Sequence, residues 1–118
     1  MSEKRIFIDS LTDILNEIDR IFKFISDMTF DEFTRDEKTI YAVIRSFEII
    51  GEATKNIPED IKNTYSQIPW NKISGMRNKL THEYFGVDLE TLWNTIKNRL
   101  TEIKPPIAEI LNNINTGE

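Results

Sequence analysis

The chain has 118 residues, a length that fits one domain with a single hydrophobic core. Hydrophobic residues make up 39% and charged residues 30%, which excludes an intrinsically disordered protein. The chain has no cysteine, which excludes disulfides, thiolate metal sites and a cysteine nucleophile. Its net charge of −5 is opposite to that of a generic nucleic-acid-binding protein, so any contact with nucleic acid is expected to be local.

We expect neither a secretion signal nor a membrane span in this sequence. The opening stretch MSEKRIFIDSLTDIL is charged and has no unbroken apolar segment, and no run approaches the roughly 18 apolar residues that a spanning helix needs. We therefore expect a cytoplasmic protein that makes no contact with membranes. One helical domain is expected over residues 1–118, with a frayed tail over about 113–118.

The first half of the chain has the periodicity of two amphipathic helices. Apolar residues between Ile6 and Ile25 recur at steps of three, four and seven, which predicts the first helix. The following SDMTFDEF breaks this period and is expected to be a loop with at most one helical turn. Thr34 and Glu37 match a capping box, which predicts a helix that ends near Asn56.

The second half is expected to contain shorter helices. One is predicted from Pro58 to Tyr65, the next begins around Pro69 and stops near Gly86, and Asp88 caps a further helix. Two consecutive prolines, 105 and 106, are expected to bend or end that helix, leaving a frayed one to about residue 113. No strand alternation occurs, so the sequence predicts an all-α, up-and-down bundle of four or five helices.

The segment GMRNKLTHEYFG, residues 75–86, contains the only histidine of the chain. On a helix, Ile73, Met76, Leu80 and Tyr84 would form an ordinary core stripe, while Asn78 and His82 would share the outward face. The segment is also locally basic, since residues 69–84 hold three cations and one carboxylate: Lys72, Arg77, Lys79 and Glu83. By periodicity alone, His82 is expected to be a solvated or hydrogen-bonded surface histidine.

Other kinds of site are poorly supported. A zinc site is not expected with one histidine and no cysteine, and the chain has neither a glycine-rich phosphate loop nor a G-x-S-x-G elbow. Glu48 and Glu52 could present paired carboxylates, although on an exposed helix face such pairs are usually solvated. Four aromatic residues could face a partner or fill the core: Phe24, Phe30, Phe33 and Tyr41.

Arginine and histidine together suit RNA cleavage without a metal. Histidine can move protons near neutral pH, and arginine binds phosphate oxygens. Two proton transfers are needed and the chain has one histidine, so a two-fold dimer would supply the second. Arg77 and His82 would lie about 140° apart on a straight helix at 100° per residue. Either the helix is distorted or the pair is completed by a second subunit.

Nearly the whole chain, roughly residues 5–104, resembles the HepT-like proteins, the ribonuclease-toxin branch of the HEPN superfamily. The resemblance rests on DEKTIYAVIRSFEIIGEATK at 36–55, IPWNKISGMRNKLTHEYFGVD at 68–88 and LETLWNTIKNRL at 89–100. Its most specific element is Arg-x4-His-x-Tyr, formed by Arg77, His82 and Tyr84.

The resemblance implies a homodimeric HEPN-like helical bundle that cuts RNA, without a metal or cofactor, in a cleft at the dimer interface. Arg77 and His82 match the catalytic positions, and Asn78 and Lys79 are the expected site-support and RNA-binding residues. Tyr84 matches the tyrosine to which an MntA-like nucleotidyltransferase antitoxin adds AMP, silencing the toxin. A larger complex with that antitoxin is also compatible with the resemblance.

Two functions follow as hypotheses. The first is a metal-independent endoribonuclease toxin of a toxin–antitoxin pair. The alternative is a non-catalytic helical subunit that binds nucleotide or RNA as the partner of a nucleotidyltransferase, which the acidic charge and small basic patch would suit. A purely structural role of the motif in a helical dimer is the third interpretation.

Overall fold

The computed structural model describes residues 3–75 and 88–116. The first helix, α1, covers Glu3–Phe24, as the apolar spacing predicts. From Leu11 onward its core face is fully buried by residues that are 0% exposed: Leu11, Ile14, Ile18 and Ile21. The chain then leaves α1 through Asp27, whose positive φ of 65° is one that aspartate tolerates better than most residues.

The segment after α1 contains a short helix where a loop with one turn was expected. Helix α2 covers Phe30–Thr34 and begins with a complete capping box between Thr29 and Glu32. The predicted capping box at Thr34 and Glu37 is therefore wrong, because Thr34 ends α2. Instead, the Asp36 side chain accepts a hydrogen bond from the Thr39 backbone N–H at 3.0 Å and caps α3.

Helix α3 covers Glu37–Lys55 and has Asn56 as its C-cap, which confirms the predicted end. A short helix, α4, covers Glu59–Thr64 as expected after Pro58. The next helix, α5, is described over residues 70–75. Its first turn is closed by the Ile73 N–H, which donates to the Pro69 carbonyl at 3.0 Å, so Pro69 lies just before the helix.

The last part of the chain is one continuous helical run. Helix α6 covers Leu89–Asn94, a π-helical turn covers Thr95–Leu100, and α7 covers Thr101–Thr116. The expected break at Pro105 and Pro106 is wrong, because both prolines lie inside α7.

Burial explains why the prolines do not end α7. A proline in a helix interior costs about 3 kcal/mol, whereas fully burying one aliphatic side chain stabilises by about 1.5–3 kcal/mol. Four such side chains on this run are at most 2% exposed: Leu100, Ile103, Ile107 and Ile110. Their packing therefore offsets the local cost of the prolines.

Helix α1 is central to the packing, since it contacts α3 on one side and α7 and the π-helical turn on another. Helix α2 bridges α3 and α6. Every regular element in residues 3–75 and 88–116 is helical, which confirms the predicted all-α fold. Within these same residues, no helix is both long and apolar enough to cross a membrane.

Candidate functional site

The five predicted site residues lie outside the described residues: Arg77, Asn78, Lys79, His82 and Tyr84. The same holds for Met76, Leu80 and Gly86. The structure describes the two flanks of this segment in the chain. These flanks are the start of α5 and the start of α6.

The first flank is anchored by buried side chains. Trp70 is 6% exposed and Ile73 is 1% exposed, which confirms Ile73 as a core residue. The indole Nε1–H of Trp70 donates to the Tyr65 carbonyl at 3.2 Å, tying α5 to the loop before it. The chain thus enters the motif from a fixed helix turn.

The second flank is fixed by the predicted cap. The Asp88 carboxylate accepts from the Glu90 N–H at 3.0 Å and the Thr91 N–H at 3.4 Å, and from the Thr91 hydroxyl at 2.9 Å. Four residues on, Leu92 is 2% exposed and enters the core. The described chain on either side of residues 76–87 thus consists of a buried helix turn before them and a capped helix start after them.

A polar groove lies beside the first flank, between α4 and α5. We call it the α4–α5 groove; it has a volume of about 350 Å³, and its polar lining comprises Glu59, Lys62, Asn63, Ser66, Asn71 and Lys72. Buried Ile68 and Trp70 contribute its apolar lining. Two cations and one carboxylate make this groove locally positive in an acidic chain.

A second groove follows the π-helical turn and has a volume of about 290 Å³. Its described lining contains two amides, Asn94 and Asn98, and one charged pair, Arg99 and Glu102. The Arg99 Nη1 lies 3.7 Å from a Glu102 carboxylate oxygen. The opposite charges of that pair give this groove no net charge.

The aromatic residues divide between core and surface. Phe33 is fully buried, and its ring centroid lies 5.1 Å from that of Trp93, so it fills the core. Phe24, Phe30 and Tyr41 are 38%, 37% and 52% exposed. Phe30 also contacts Trp93, with ring centroids 6.0 Å apart. Phe30 and Phe33 of α2 thus both pack against Trp93 of α6 and hold the two helices together.

The paired carboxylates of α3 face cations of their own helix. Glu48 lies 3.5 Å from Arg45, and Glu52 lies 3.7 Å from Lys55. The interpretation of Glu48 and Glu52 as surface groups therefore agrees with their ion pairs.

The sequence pattern predicts neither a role for Lys62 nor the π-helical turn. Lys62 lies ten residues before Lys72 in a different element, so only the fold brings the two into one groove. The turn has no local signal, because Leu92, Ile96 and Leu100 keep ordinary helical spacing.

Comparison with known proteins identifies the family. The model of the HepT-like ribonuclease family matches residues 14–110, which is most of the chain and includes the segment with Arg77 and His82. The chain belongs to this family.

Relatives from several organisms bear names of the same kind. A protein of Methanocaldococcus jannaschii named "Putative RNase" is 48% identical over 88% of this chain and 86% of its own length. A protein of Thermococcus cleftensis named "Probable ribonuclease HepT" is 48% identical over 86% of this chain and 92% of its own length. A "Putative RNase" of Caldanaerobacter subterraneus is 41% identical over 86% of this chain and 90% of its own length. No solved structure matches the chain significantly.

Proposed function

We propose that this protein is a metal-independent endoribonuclease and the toxin of a toxin–antitoxin pair. The observation that carries the proposal is the intact Arg77-x4-His82-x-Tyr84 pattern inside a family match that covers residues 14–110. The described flanks support it, because a catalytic segment must be held in place at both ends.

The proposed reaction moves two protons and breaks one P–O bond. A neutral His82 takes the proton of a 2′-hydroxyl, and that oxygen attacks the adjacent phosphorus. Arg77 stabilises the negative charge that develops on the phosphoryl oxygens. A protonated His82 from a second copy gives its proton to the leaving 5′-oxygen, so the products are a 2′,3′-cyclic phosphate and a 5′-hydroxyl. Asn78 and Lys79 support the site and bind RNA.

The decisive experiment compares induced expression of the wild-type chain with His82→Ala and Arg77→Ala, with RNA integrity read on a gel. We expect growth arrest and RNA fragments from the wild type only, while circular dichroism shows that all three are folded. Lys23→Gln, on the exposed side of α1, is the control and should keep full activity. Full toxicity of His82→Ala would reject the mechanism.

Two in vitro measurements test the finer parts of the proposal. Cleavage by purified protein should persist in excess EDTA, and specific activity should fall on dilution as the homodimer dissociates. Cleavage that stops in EDTA and returns with added metal would reject metal independence. A folded protein that binds RNA or nucleotide but cuts no RNA would favour the non-catalytic partner subunit.

We also propose that a cognate MntA-like nucleotidyltransferase silences the enzyme by adding AMP to Tyr84. The added phosphate would compete with RNA for Arg77. The chain has three tyrosines, so the test is specific: co-expression with the cognate nucleotidyltransferase should add AMP-sized masses to wild type and to Tyr41→Phe. Tyr84→Phe should remain unmodified and toxic. Neutralised toxicity without any added mass would mean simple sequestration by the antitoxin.

A further inference from the structure

The α4–α5 groove combines charge, concavity and hydrogen-bonding groups in one place. Its volume of about 350 Å³ falls at the lower end of the roughly 300–1,000 Å³ typical of small-ligand sites. Within the described chain, its lining contributes two ammonium groups, two side-chain amides and one hydroxyl, all able to donate hydrogen bonds. Such a set suits an anion.

The two lysines differ in how the fold holds them. The Lys62 side chain is only 19% exposed, so its stem is packed along the groove wall and its ammonium group has limited freedom. Among the described residues, the carboxylate paired with it is that of Glu59, which is 3.9 Å away and 84% exposed, so solvent weakens this ion pair. Lys62 therefore retains most of its attraction for another anion.

Lys72 and the polar groups near it are available to a ligand. Lys72, Asn63, Ser66 and Asn71 are exposed, and among residues 3–75 and 88–116 no hydrogen bond or ion pair occupies their side-chain donors. Lys72 also lies in α5, five residues before Arg77 in the sequence. The groove thus opens beside the element that leads to the proposed catalytic segment.

The groove is held in shape before any ligand arrives. Its Trp70 is buried and donates to the Tyr65 carbonyl, and the Tyr65 hydroxyl accepts a hydrogen bond from Asn113 of α7. This chain of contacts ties the groove to the last helix of the bundle. A preformed site loses less ordering entropy when it binds its ligand.

We propose that the α4–α5 groove is a subsite for a phosphodiester of the RNA strand, with Lys62 and Lys72 as its cations. The inference rests on the proposed ribonuclease function, since it assigns the anion to the substrate. Its role is to bind the strand at a nucleotide outside the scissile bond. Because the contact is to phosphate, it adds affinity without selecting a sequence.

The test measures binding of a 2′-O-methyl RNA oligonucleotide, which lacks the attacking hydroxyl, at several salt concentrations. Lys62→Met and Lys72→Gln should each weaken RNA binding, and the loss of affinity should be the same for oligonucleotides of unrelated sequence. Each should also reduce the slope of log affinity against log salt, and the double variant should reduce it by about 0.7, the value for one phosphate contact on a single strand. Lys23→Gln is the charge-matched control and should change neither quantity.

A variant of opposite sign sharpens the test. Glu59→Gln removes the one carboxylate of the groove, so it should strengthen binding of the same oligonucleotide. If neither lysine variant nor Glu59→Gln changes affinity or slope while His82→Ala still abolishes cleavage, the subsite is wrong and the ribonuclease function stands. If the wild type neither binds nor cuts RNA, both proposals fail. If the lysine variants bind free AMP more weakly than the wild type but bind RNA equally well, the groove binds a nucleotide and the RNA subsite is wrong.

Discussion

The side-chain amide of Asn113 donates a hydrogen bond to the Tyr65 hydroxyl across 3.2 Å, joining residues 48 positions apart in the chain. Tyr65 is the C-cap of α4 and lies in the loop before α5, while Asn113 lies near the end of α7. This contact connects the C-terminal helix to the structure that precedes the proposed catalytic motif.

We expect Tyr65→Phe to lower the free energy of unfolding by about 0.5 kcal/mol, because one exposed hydrogen bond is lost. The change in the free energy of unfolding is measured by urea unfolding of the wild type and the variant. Asn113→Ala and the double variant complete a cycle, and the double variant should cost less than the two single changes added together. Strict additivity would show that the bond contributes nothing to stability.

The aromatic contact between α2 and α6 gives a second prediction. Phe33 is fully buried against Trp93, so Phe33→Ala should destabilise the fold by about 3–5 kcal/mol. Phe30→Ala is the matched variant: this ring also contacts Trp93 but is 37% exposed, so its loss should cost clearly less. If the two variants lowered the free energy of unfolding equally in thermal or urea unfolding, the difference in burial between Phe33 and Phe30 would be wrong.

Asp36 predicts a pH dependence of stability. The Thr39 backbone N–H, followed by the Thr39 side chain, lowers the pKa of the Asp36 carboxyl below its ordinary value of 3.8 by hydrogen bonding to the charged form. A lowered pKa in the folded state means that the ionised cap stabilises the fold above pH 3.8. This stabilisation is lost as pH falls through the lower, folded-state value.

The matched variant is Asp36→Asn, which keeps a good N-cap without a titrating group. Wild type should be the more stable protein at neutral pH, and the difference should shrink as the solution is acidified. The measurement is urea unfolding of both proteins over a series of acidic buffers. A difference that stays constant with pH would exclude the carboxyl as its source.

Gly75 gives a prediction about the helix that enters the motif. It is helical and exposed, and a Cβ added there would meet no atom of another described element within 4 Å. Gly75→Ala should therefore stabilise the protein by about 0.5–1 kcal/mol through helix propensity. Ser74→Ala, in the same turn, is the comparison. We expect cleavage to survive the change; a more stable but inactive Gly75→Ala would mean that RNA must approach this backbone closely.

Much of the fold could be predicted from local chemistry. The end of α3 at Asn56 and the cap at Asp88 follow from interactions between residues a few positions apart, so a sequence pattern contains them. The long stripes of α1 and α3 were equally clear, because burial of one face imposes a helical period on the sequence.

The two wrong predictions, the capping box at Thr34 and the break at the α7 prolines, concern places where tertiary packing outweighs the local sequence preference. Both Thr29-x-x-Glu32 and Thr34-x-x-Glu37 fit a capping box, and burial of Phe33 in α2 favours the first. The prolines of α7 oppose a helix locally, yet the apolar stripe around them is buried. The site itself was predicted from family resemblance, since periodicity alone leaves His82 on a solvated surface and nothing local links Lys62 to Lys72.

The contact between α7 and α1 has a consequence for how the protein is made. Ribosomes release the N-terminus first, so α1 and α3 can pair while α7 is still being synthesised. Until Ile103, Ile107 and Ile110 emerge, part of the apolar face of α1 stays uncovered. Chains cut before residue 103 should accordingly be digested rapidly by a protease that spares the full-length protein. A cell that stops translation early would thus produce a degradable fragment, and the folded protein would exist only once its last helix is complete.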